Sequence, residues 1–91
     1  MIELKKCRDK IDALDRELLR LFEERMHIVK DVAYIKKANG IGICDSSRET
    51  ELISAIKAMS EDGLSEYDKA LFEKIMELSK LYQSRCLEEK L

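Results

Sequence analysis

Proline and tryptophan are absent from this sequence of 91 residues, and glycine occurs only at positions 40, 42 and 63. Between residues 2 and 38 there is neither glycine nor proline, so nothing in that stretch breaks or kinks a helix. Aromatic residues make up only 5% of the chain, and no strand pattern, internal repeat or low-complexity segment is visible. Cysteine is sparse and scattered. Cys7, Cys44 and Cys86 are odd in number, widely spaced and free of any C-x-x-C pair. That excludes a disulfide framework and a zinc site, and reduced thiols in a cytoplasmic protein are the expectation. A net charge of −2 gives no reason to expect nucleic acid or an anionic membrane as partner. No apolar run approaches transmembrane length, and the N-terminus, charged from Glu3 onward, shows no signal peptide. There is no phosphate loop, no metal-ligand cluster and no nucleophile beside a base. The one histidine, His27, has no triad partner and reads as structural.

What is abundant is charge, at 40%, interleaved with aliphatic residues at helical spacing. From Leu4 through Cys7, Ile11, Leu14, Leu18, Leu21, Ile28 and Val32 to Ile35, apolar residues recur in the alternating three- and four-residue steps of a heptad seam. About 36 residues at ~1.5 Å each make a helix roughly 54 Å long. A compact chain of this size is only about 30 Å across, so the helix overshoots its own domain by about 20 Å. Its stripe would hang in water unless a second chain covered it, most simply an identical one about a two-fold axis.

Asn39-Gly40 marks the end of this helix, with Lys36 and Lys37 in its last turn. Asp45-Ser46-Ser47 offers N-caps for a second helix over Ser47 to Met59, and Ser46 with Glu49 has capping-box spacing. Its expected buried stripe is Leu52, Ile56 and Met59. Ser65 can cap a third helix over Glu66 to Glu88, with Leu71, Ile75, Leu78 and Tyr82 facing inward. The expectation is an all-α fold, a single domain over residues 1–91, with three helices in long-short-long order.

Several residues do not suit a plain bundle. Arg25 breaks the apolar seam, and a cation there must be paired or cost several kcal/mol. It either snorkels outward to a glutamate or marks an anion site inside the bundle. Lys36 lies eleven residues further on, close to three turns, so both point the same way. The plain alternative is a lysine serving the helix dipole. Arg48 sits in the first turn of the second helix, where a cation opposes the dipole, although Asp45 and Glu49 partly offset it. A ligand carboxylate there would meet Arg48 and free N–H groups. Ser79 and Gln83, four apart, interrupt the lane Phe72, Met76, Cys86, either as an interhelical hydrogen-bonding pair or as ligand contacts. Arg8 is seventeen residues from Arg25, roughly 25 Å along one helix, so it reaches the same small ligand only from another chain, or else is a solvated surface residue. The remaining Lys and Glu residues read as solvated faces with i,i+4 pairing.

Taken in order, these residues resemble the all-helical class of chorismate mutases over nearly the whole chain. The parts are Arg8 with Ile11, Leu14, Asp15 and Leu18; Glu24-Arg25; Val32-Ala33 and Lys36; Asp45-x-x-Arg48-Glu49; and Ser79-x-x-x-Gln83. The resemblance implies an intertwined homodimer with two equivalent sites that rearranges chorismate to prephenate on the route to Phe and Tyr, with no cofactor and no metal. It implies that Arg8 of one chain and Arg25 of the other hold substrate carboxylates, and that Lys36 and Gln83 face the breaking ether bond. Asp45, through its backbone, and Glu49 would meet the ring hydroxyl, with Arg48 and Ser79 completing the polar wall. One departure is the loop Gly40 to Cys44, which lacks the proline the family often has before its Asp. No regulatory domain is visible, so feedback control within the chain is not expected. Two rival readings are an isochorismate–pyruvate lyase on a similar dimer and a non-catalytic dimerisation module. The second requires Arg25, Lys36, Arg48 and Gln83 to point to separate places.

Overall fold

The computed structural model describes residues 1–89. Three helices follow one another, α1 (Ile2–Ala38), α2 (Ser46–Met59) and α3 (Ser65–Glu89), and no strand occurs among the described residues. The long-short-long order is the one the sequence dictates.

The ends of the helices have local causes. α1 stops where the Asn39 N–H turns back to the Ile35 and Lys36 carbonyls, and the Asn39 side chain donates to Ile35 O at 2.8 Å. Gly40 then takes a left-handed φ of 67°, which other residues adopt only at a cost. At the start of α2 the cap is Asp45, whose Oδ1 accepts from the Arg48 N–H at 3.0 Å. The helix therefore begins at Ser46, one residue before the expected start, and the Ser46–Glu49 capping box does not form. α3 also starts one residue early. Ser65 lies inside it, and the Leu64 carbonyl accepts from Asp68 N at 2.9 Å.

α3 is the central element: it packs on both α1 and α2, which do not pack on each other. Of the face expected to be buried, only Ile75 and Tyr82 are half-buried. Leu71 and Leu78 are exposed, while Ser79, Gln83 and Cys86 are buried and Phe72 and Met76 half-buried. The polar pair is buried because it finds partners on α1: Ser79 Oγ accepts from Arg25, and Gln83 donates to the Val29 carbonyl. No buried side-chain polar atom among the described residues is left without a partner, so the interrupted lane costs little. Ala33 and Cys86, both small, are fully covered, and Tyr34 Oη donates to the Cys86 carbonyl at 3.2 Å. On α2, Ile56 is buried and Leu52 half-buried, but Met59 is 74% exposed.

The rest of α1 has no cover. Every residue from Met1 to Leu21 is exposed, and along the heptad seam Ile11, Leu14, Leu18, Leu21, Ile28 and Ile35 are each 51–64% accessible. The chain measures 56 × 29 × 14 Å with a radius of gyration of 16.5 Å. A compact globule of this length would have a radius near 12 Å. A slab 14 Å thick is little more than one helix deep, so most apolar side chains have a neighbour on one side only.

Candidate functional site

A cleft of about 170 Å³ is walled by all three helices and the loop between α1 and α2. From α1 come Arg25, Val29, Val32 and Lys36, one side of the helix over its last three to four turns. Ile43 and Asp45 come from the loop, Arg48, Glu49 and Leu52 from α2, and Met76, Ser79, Lys80 and Gln83 from α3. Five apolar residues, Val29, Val32, Ile43, Leu52 and Met76, line it together with the polar ones.

Of the eight residues singled out in the sequence, seven line this one cleft: Arg25, Lys36, Asp45, Arg48, Glu49, Ser79 and Gln83. Arg8 does not. It is exposed on the unpacked part of α1. His27 is exposed and outside the cleft. The convergence removes the reading of a bundle whose Arg25, Lys36, Arg48 and Gln83 point to separate places.

Arg25 is half-buried, and its Nη1 donates to Ser79 Oγ at 2.7 Å. The Ser79 hydroxyl passes its own proton to the Ile75 carbonyl at 2.7 Å, while the Met26 sulfur lies further off at 3.9 Å. Ser79 therefore has no proton left for a ligand, and its contribution is to hold the guanidinium in place. Desolvation, and then the like charge of Arg48, push the Arg25 guanidinium below its ordinary value. Arg25, Lys36 and Arg48 have no carboxylate partner among the described residues. An arginine stays charged under such pressure, so an incoming anion relieves both burial and repulsion.

Lys36 Nζ donates to the Ile43 carbonyl at 3.1 Å, which pins the loop and leaves two N–H bonds for a ligand. Gln83 Nε2 donates to the Val29 carbonyl at 3.1 Å. That contact requires the nitrogen and not the oxygen to face α1, and leaves one further N–H. At the start of α2 two backbone donors are already in use: Arg48 N meets Asp45 Oδ1 and Glu49 N meets the Asp45 carbonyl. Those two N–H groups are therefore not among the free donors expected for an anion there, and Arg48 lines the cleft.

Sequence reasoning missed Lys80, which it placed among the solvated lysines. Its Nζ lies 2.8 Å from Glu49 Oε1, and this hydrogen bond raises the ammonium above its ordinary value. The available signal was its spacing three residues before Gln83, on the flank of the same face. With Lys80 included, the cleft holds four cations against two carboxylates, an excess of two positive charges. No group of His, Cys, Asp and Glu among the described residues could hold a metal ion, and no helix there is long and apolar enough to cross a membrane.

Comparison with known proteins agrees with this geometry. The family described as "Chorismate mutase type II" matches residues 7–84. The chain is 36% identical to a chorismate mutase of Methanocaldococcus jannaschii, over 98% of this chain and 93% of that protein. It is 38% identical over 61 residues to the T-protein of Haemophilus influenzae, and 36% identical over 62 residues to a bifunctional chorismate mutase/prephenate dehydratase of Aquifex aeolicus. In those two the matched part covers 67% and 68% of this chain but only 16% and 17% of the relative.

Proposed function

The chain belongs to the type II chorismate mutase family, and we propose that the cleft described above is where its reaction takes place, with each lining residue in a definite role. The activity is an isomerisation: chorismate becomes prephenate, on the route to Phe and Tyr. One carbon–oxygen bond of the enolpyruvyl ether breaks as one carbon–carbon bond forms, within a single molecule. Such a step needs no nucleophile, and the cleft offers none. It needs a flexible dianion held in its reactive chair, and donors where charge grows on the ether oxygen.

The residues divide accordingly. Arg25, oriented by Ser79, takes one substrate carboxylate, and Arg48 adds positive charge to the same wall. Lys36 and Gln83, each tethered by one hydrogen bond and each with N–H to spare, donate to the ether oxygen. One such donor is worth about 3 kcal/mol, while a million-fold acceleration needs roughly 8. Conformational restriction supplies the difference. Glu49 accepts the ring hydroxyl proton, and the Asp45 carbonyl keeps one lone pair for the same group. The observation that carries this reading is the gathering of Arg25, Lys36, Arg48 and Gln83 in one cleft with an excess of positive charge, as a substrate with two negative charges requires.

The working unit in this proposal is an intertwined homodimer. The support is the uncovered seam on α1 and the slab-like shape of one chain. Burying the remaining half of six aliphatic side chains per chain contributes about 1 kcal/mol each, and Leu71, Leu78 and Leu81 on α3 add to it. In an antiparallel pairing, Arg8 of one chain reaches the cleft of the other and binds the second carboxylate. Three free cysteines, two of them exposed, support residence in the cytoplasm. The test is the loss of chorismate ultraviolet absorbance on adding purified protein, with no pyruvate released from isochorismate. Pyruvate release would overturn the reading in favour of a lyase.

A further inference from the structure

We infer that Lys80 is a positioning residue for this reaction: it fixes the Glu49 carboxylate in the wall of the cleft and offsets its charge, so that a dianion can lie against it. The inference rests on the role proposed for Glu49.

Four observations carry it. Glu49 is the least exposed carboxylate in any ion pair among the described residues, with its side chain 28% accessible against 45–78% for the others. Its pairing with Lys80 joins the first turn of α2 to α3 at the cleft, whereas the other pair between these helices, Lys57–Glu66, is longer at 3.7 Å. The other carboxylate that acts on Lys80 is Glu77, and Lys74 already holds that one at 3.3 Å. Finally, Glu49, Met76 and Lys80 line both the cleft and a wide neighbouring groove of about 530 Å³, so the pair stands in the wall between them. The ammonium pairs with Oε1 of Glu49, leaving the other carboxylate oxygen for the substrate hydroxyl.

Charge explains why a lysine is needed. Without Lys80 the excess in the cleft falls to one, and an uncompensated Glu49 faces two substrate carboxylates. Net charge alone would give Lys80→Met the same penalty with or without Glu49, because the excess falls by one in either background, whereas a lysine acting through Glu49 loses its effect once Glu49 is neutral; that difference defines the experiment. Steady-state kinetics with chorismate are measured for the wild type, Lys80→Met, Lys80→Arg, Glu49→Gln and the double variant Lys80→Met/Glu49→Gln, alongside thermal melts. Lys80→Met is expected to raise KM about fivefold with kcat within about twofold, since the hydroxyl contact is made in ground and transition states alike. Lys80→Arg restores KM. In the Glu49→Gln background the same Lys80→Met change leaves KM within about 1.5-fold, the non-additivity expected of a residue acting through another. Should Lys80→Met melt early, Lys80→Gln replaces it. An unchanged KM in Lys80→Met beside an impaired Glu49→Gln overturns the inference alone. So does an equal penalty in both backgrounds, because Lys80 would then act without Glu49. Wild-type behaviour of Glu49→Gln removes the role of Glu49 itself, and this inference with it.

Discussion

The two halves of α1 share one sequence pattern and have opposite fates. From Phe22 onward the helix lies on α3: Ala33 is buried, Arg25, Met26, Val29 and Val32 are half-covered, and the cleft forms there. From Ile2 to Leu21 the heptad steps continue without interruption, yet every side chain is exposed. Even in the packed half the seam residues Ile28 and Ile35 stay 58% and 61% exposed, so periodicity records that a face is to be covered and says nothing about which chain covers it. The polar exceptions separate the halves. Arg25 breaks the seam and Lys36 flanks it where a cleft exists, while Arg8 flanks it where none exists in its own chain. On the proposed dimer, Arg8 is a site residue waiting for its site.

The comparison can be broken most severely in the packed half. Gln83→Ala or Lys36→Ala is expected to lower kcat about 10²- to 10³-fold with helical content unchanged, as loss of one preorganised donor does elsewhere. Wild-type turnover in both would dismiss the roles assigned to them.

The uncovered half gives the next largest effect. Arg8→Ala should lower kcat/KM roughly 10- to 100-fold, the loss of a charge-assisted contact. Mixing it with an Arg25→Ala protein should bring activity back. Half of randomly reassorted dimers are mixed, and one of two sites in each is intact, so about a quarter of the wild-type activity returns. No recovery after mixing would place Arg8 outside the other chain's site.

Leu18→Glu puts a carboxylate in the middle of the bare seam. It should reduce the mass seen by light scattering to that of one chain and lower the melting temperature by several degrees, a cost of about 1–3 kcal/mol. An unchanged mass would mean that the seam is not the interface.

The gentlest test is salt. Raising ionic strength from about 0.05 to 0.5 M should raise KM about threefold, because the cleft is open to water on one side and its excess charge is partly screened. A KM indifferent to salt would argue that charge excess does not govern binding.

Much of the fold was legible because its signals are local. Helix length follows from the gap between breakers, and Asn39-Gly40 and Asp45 stop and start helices through atoms within four residues. The cleft was legible through its misfits, since Arg25, Ser79 and Gln83 are expensive in a bundle unless they meet something. What was not legible depended on choices between distant partners. Leu71 and Leu78 look more buriable than Ser79 and Gln83, and only the meeting with Arg25 and the Val29 carbonyl reverses the order. Lys80 looks like any surface lysine until Lys74 is seen to occupy Glu77.

The unbroken run of α1 also acts as a ruler. Residues 8 and 25 are set apart by rigid turns alone, so their phase is fixed by counting. One residue inserted between them would turn everything upstream by about 100° and slide it by about 1.5 Å. The stripe and Arg8 would then swing away together. Only insertions near a whole heptad preserve the phase, and even those would shift Arg8 by about 10 Å. Between Arg8 and the cleft this helix can change residues off its stripe, but not its length.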